Sequence, residues 1–133
     1  MASVLPATVL AAYNSRNRIM RDEAGAIHFF WGLLSIRMTQ GEFLNLAGLL
    51  EDAVVCQVQR GELARCSCGR VARCAMGQIM LYHRSFTLWF SPKEFEKLYQ
   101  LVAEARQRLA DAAPLPQLGL PWATTYQGFA SLN

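Results

Sequence analysis

The chain has 133 residues, 53% of them apolar and only 17% charged, with a formal net charge of +3. That length suits one domain with a real core, and the charge is too small to imply a nucleic-acid partner by itself. No run approaches the roughly 18 apolar residues that a membrane-spanning helix needs.

The first stretch, MASVLPATVLAAYNSRNR, has no basic residue ahead of its apolar part. We therefore expect no signal peptide, a cytoplasmic location, and cysteines that are thiols or ligands rather than disulfides. Residues 6–13, PATVLAAY, read as two turns of helix with Pro6 at the first position. Asn17–Asp22 is a short strand candidate, followed by the turn Asp22-Glu23-Ala24-Gly25, where Gly25 supplies the positive φ of a hairpin loop.

Ala26–Trp31 and Leu34–Met38 follow as a hairpin. Alternation places Ile27, Phe29, Leu34, Ile36 and Met38 on one face and His28, Phe30, Ser35 and Arg37 on the other. Thr39 and Glu42 then form a capping box, opening a helix with Phe43, Leu46, Leu49, Leu50 and Ala53 at helical spacing. This helix is expected to run to about Arg60, where Gly61 stops it.

The chain then says nearly the same thing again. Shifted by 52 residues without a gap, Cys66–Ala105 matches Asn14–Ala53 at ten of forty positions, among them Arg18/Arg70, Arg21/Arg73, Gly25/Gly77, Glu42/Glu94, Phe43/Phe95 and Leu46/Leu98. Unrelated segments would share roughly two or three, so this is a tandem repeat. Its second hairpin is Gln78–His83 with Phe86–Phe90, its second capping box Ser91 with Glu94. The second helix, carrying Phe95, Leu98, Leu101, Val102, Ala105 and Leu109, should run to about Ala112 before Pro114. Losing the Ser91 cap should cost about 0.5–2 kcal/mol.

The expected fold is α+β: a single domain, 1–133, of two tandem β-β-β-α repeats with pseudo-twofold symmetry. Repeat 1 spans about 14–60 and repeat 2 about 66–112. About six antiparallel strands carry two helices packed on one face, and residues 113–133 form a packing segment.

The face away from the helices is too apolar for a solvated one, since Met80, Tyr82 and Trp89 join Phe30 and Arg37 there. We expect it to be covered, by the aromatic C-terminal segment or by a second subunit. The leading functional reading is thus a non-enzymatic binding or assembly module, a homodimer or a protein-partner binder, with Phe30, Arg37, Met80, Tyr82 and Trp89 at its interface. No P-loop, G-x-G-x-x-G or H-E-x-x-H is present to support an enzyme.

Two alternatives remain. Cys56, Cys66, Cys68 and Cys74, spaced C-x9-C-x-C-x5-C, are candidates for a zinc site or a redox role. A strand from Cys68 to Cys74 would separate its ends by about 20 Å, which argues against all four meeting on one ion. The other alternative is an Arg–aromatic surface for single-stranded nucleic acid, built on Arg18, Arg21, Arg70 and Arg73. The cysteine lead-in, the hairpin GQIMLYHRSFTLWF and SPKEFEKLYQLV together resemble small uncharacterised bacterial domains. Those carry a cysteine pair, a hairpin ending in an S/T-x-x-E/Q-F box, and a helix. The resemblance implies the fold of each repeat and no activity.

Overall fold

The computed structural model describes residues 7–56, 59–84 and 86–111. The first unit holds four strands, β1 (Thr8–Ala12), β2 (Arg18–Arg21), β3 (Ile27–Trp31) and β4 (Leu34–Met38), then helix α1 (Gln40–Val55). The second holds β5 (Gly61–Cys66), β6 (Gly69–Arg73), β7 (Ile79–His83) and β8 (Phe86–Phe90), then α2 (Pro92–Asp111). Each set of four strands is an antiparallel meander in chain order. The fold class is the expected α+β, with four strands per repeat instead of three.

The additional strands correct two readings. Residues 8–12 are β1, not helix, because Leu10 and Ala11 are buried beneath α2 while the backbone pairs with β2. The alanines favour a helix, but tertiary pairing outweighs so weak a local preference. Likewise α1 stops at Val55, with Cys56 as its extended C-cap, and Gly61 opens β5 rather than ending the helix. These strands escape an ungapped comparison for a simple reason. Thr8 faces Arg21 and Gly61 faces Arg73, so here the two copies are offset by one residue more than elsewhere. The β5–β6 turn, Ser67-Cys68, is correspondingly shorter than its counterpart. Both β1 and β5 also carry a bulge, at Val9/Ala11 and Glu62/Ala64.

Turns and caps follow the sequence closely. Gly25 and Gly77 have φ of 90° and 88°, and each N–H bonds back to the carbonyl of Asp22 or Cys74. Both capping boxes form. The Glu42 N–H donates to Thr39 Oγ1 at 3.0 Å and the Glu94 N–H to Ser91 Oγ at 3.1 Å, while each Glu carboxylate accepts from its cap's N–H.

The helices are exchanged between repeats: α1 lies against β5 and β6, and α2 against β1 and β2. One residue, Thr39, separates β4 from α1, and one, Ser91, separates β8 from α2. A single residue reaches about 3.5 Å, too little to step up a full layer and turn back over its own sheet. The helix instead continues onto the neighbouring one. Trp31 of the first sheet meets Phe90 of the second edge-on at 5.6 Å, and Arg106 on α2 pairs with Glu51 on α1 at 3.3 Å. Buried residues from both sheets and both helices form one continuous core.

Two outer faces and a thiol pocket

Beneath their common scaffold, the two sheets differ on the face away from the helices. On the first, Asp22 organises everything. Its Oδ1 accepts the N–H groups of Ala24 and Ala26 at 2.9 Å, while Oδ2 meets His28 Nε2 at 2.7 Å and Arg37 Nε at 3.4 Å. Beside this network the Arg18 guanidinium lies 4.3 Å over the Phe30 ring. The polar groups of this face pair with one another, while the Arg37 side chain stays largely exposed.

At the matching positions of the second sheet, Asp22, His28 and Arg37 become Cys74, Met80 and Trp89. A turn without a carboxylate offers nothing to bind a cation, and no cation is present at position 80 or 89. Met80 pairs with Trp89 across β7 and β8, and Tyr82 with Thr87. Trp89 is 56% exposed and Tyr82 43%. Among the described residues nothing covers this patch. The proposed cover, residues 113–133, lies outside the described residues. Of the five expected interface residues, Met80, Tyr82 and Trp89 therefore share one open face, whereas Phe30 and Arg37 are engaged within the first sheet.

The hydrogen bond from His28, then the N–H groups of Ala26 and Ala24 and the Arg37 guanidinium, hold the Asp22 carboxyl down at about 2, against a weaker opposing effect of burial. A carboxyl depressed by folding stabilises the fold above its unfolded value, and that stabilisation is lost as protons bind to the folded form. Thermal melts should thus show a fall in stability between pH 4 and 2 that Asp22→Asn flattens.

The four arginines proposed for nucleic acid divide between faces. Arg18 and Arg70 stand opposite Phe30 and Tyr82 on the outer sides. Arg21 and Arg73 stand opposite Ile27 and Ile79, on the sides turned toward the helices. They do not make one surface.

The cysteines divide as well. Cys56 caps α1 and Cys74 opens the β6–β7 turn, at the far end of β6 from Cys68. Cys66 and Cys68, at the β5–β6 turn, are in contact, with Sγ–Sγ 3.6 Å. The His83 Nε2 stands 3.8 Å from Cys68 Sγ. His83 is 1% exposed, and its Nδ1 has no partner among the described residues. Burial, then the neighbouring Arg84, lowers the pKa of His83, with Glu42 opposing. Burial and the Cys66 thiol push the Cys68 thiol up, while Arg84 and Ser67 pull it down. The pair lies in an open depression of about 470 Å³ lined by Arg65, Arg70, Tyr82 and Arg84. Among the described residues no group of three or more Cys, His, Asp or Glu side chains is placed to hold a metal ion.

His83 lies on the inner face with Ile79 and Leu81, and its meeting with Cys68 was missed. The missing signal was β5: its pairing with β6 makes Ser67-Cys68 a tight turn, and the β6–β7 register, with Gly69 opposite His83, brings that turn onto the ring. Gly69 is what permits the approach. A Cβ there would stand 2.5 Å from the Tyr82 carbonyl oxygen and 3.1 Å from His83 Cα and Cδ2. Gly69→Ala should cost about 1–3 kcal/mol through overpacking, read as a lower denaturant midpoint at unchanged slope. Arg84 is held at φ 55°, where the first copy has Gly32 at 62°. Its N–H donates to the Cys68 carbonyl at 2.7 Å and its Nε reaches Glu42 at 3.3 Å.

Comparison with family models, curated proteins and solved structures finds no match for this chain. Among the described residues no helix is long and apolar enough to cross a membrane.

Proposed function

We propose that the chain is a non-enzymatic binding module that assembles through the outer face of its second sheet, with a second copy of itself as partner. One observation carries this reading: the ion network Asp22–His28–Arg37 is replaced, position for position, by Cys74, Met80 and Trp89. The scaffold tolerates a self-contained polar face at these positions, yet the second repeat presents an open aromatic one. Completing the burial of such a half-exposed ring is worth on the order of 2–3 kcal/mol. Two copies of Trp89 and Tyr82 across a twofold contact reach the range that offsets the lost freedom of association.

Native mass measurement and light scattering over a concentration series test the reading. A dimer is expected, and Trp89→Asp should give a monomer with an unchanged melting profile, since position 89 is solvent-facing among the described residues. A wild-type chain that stays monomeric at high micromolar concentration overturns it.

A further inference from the structure

The contact between Cys66 and Cys68 has no counterpart in the first sheet, which is built without either thiol. We propose that this turn is a thiol–disulfide exchange site for low-molecular-weight disulfides that carry carboxylates. Three observations support the site and its ligand class. The sulfurs are 3.6 Å apart on one turn, already in contact, against about 2.05 Å in a disulfide. His83, buried and with Nε2 3.8 Å from Cys68 Sγ, gives that thiol a polar imidazole neighbour. Three arginines, Arg65, Arg70 and Arg84, line the depression, against two carboxylates, Glu62 and Glu42, that pair with them and are not among its lining residues. An anionic disulfide is favoured over a neutral or cationic one.

The chemistry balances as two exchanges. Cys68 loses its proton to a base from solvent, and its thiolate attacks one sulfur of the disulfide. The S–S bond breaks, and the leaving thiolate takes up a proton, giving a mixed disulfide on Cys68. Cys66, losing its proton to solvent, then attacks the Cys68 sulfur and expels the second thiolate, which is protonated in turn. The dithiol is oxidised by two electrons and the external disulfide is reduced to two thiols. Ring closure across a single intervening residue is strained, so the bond is readily reduced again.

The test uses the reduced full-length chain with oxidised glutathione, bis(2-hydroxyethyl) disulfide and cystamine as anionic, neutral and cationic probes. Each rate is normalised to that of the urea-unfolded chain and followed by intact mass and peptide mapping. Oxidised glutathione should react at least about 10-fold faster than cystamine at low salt, the ratio falling toward unity near 1 M salt. The product should be a Cys66–Cys68 disulfide. Cys66→Ser should stop at a stable glutathione adduct on Cys68, and Arg70→Gln, at a half-exposed position, should reduce the charge preference without altering the fold. Equal normalised rates for the three probes, or a first adduct on Cys56 or Cys74, would overturn the proposal.

Discussion

Replacing Phe90 with alanine is expected to destabilise the whole chain by about 3–5 kcal/mol, a large part of the 5–15 kcal/mol that holds a typical domain folded. Phe90 is 1% exposed, meeting Trp31 edge-on at 5.6 Å and Phe95 at 6.0 Å. It ends β8, sits just before the cap of α2, and receives an indole from the other repeat. A cavity there loosens both sheets, since α2 covers β1 and β2 and α1 covers β5 and β6. Denaturant unfolding followed by circular dichroism and by tryptophan fluorescence should show one shifted transition. A variant in which β5–α2 melts while β1–α1 stays intact would contradict the shared core. A double-mutant cycle with Trp31→Ala should return a coupling of about 0.5–1.5 kcal/mol for the ring pair.

Grafting the first sheet's network onto the second should abolish assembly without unfolding the chain. The variant carries Cys74→Asp, Met80→His and Trp89→Arg together. Every position already has a natural precedent on the same scaffold, in which Asp22 holds His28 at 2.7 Å and Arg37 at 3.4 Å. Exchanges on an outer face typically alter stability by less than about 1 kcal/mol, while the open aromatic row disappears. The expected result is a monomer with near wild-type stability and an additional loss of stability between pH 4 and 2, from a second depressed carboxyl. Unchanged self-association in a folded triple variant would place the interface elsewhere.

Local chemistry made much of the fold legible. Gly25 and Gly77 announce turns because few other residues accept their φ, and Thr39-x-x-Glu42 and Ser91-x-x-Glu94 announce helix starts because they satisfy free N–H groups in a fixed geometry. The hairpins Ile27–Met38 and Ile79–Phe90 are legible from period-two alternation. β1 and β5 were not. Each carries a bulge that breaks the alternation, and a shorter turn before β6 shifts one copy against the other. The Cys68–His83 contact was hidden with them, since it depends on the register of a strand pair that local signals do not specify.

By itself, the sequence determined that one α+β unit is built twice, with helices beginning at Thr39 and Ser91. It also determined that the second copy carries Cys74, Met80 and Trp89 where the first carries Asp22, His28 and Arg37. Those are properties of single residues and their near neighbours. Only the tertiary structure decided that the helices exchange sheets, that Asp22 gathers His28 and Arg37 into one network, and that Cys66, Cys68 and His83 meet. The physical reason is common to all three: each depends on where chain ends and strand registers come to rest in space, set by one-residue linkers, a bulge and a close approach at Gly69 rather than by local preference.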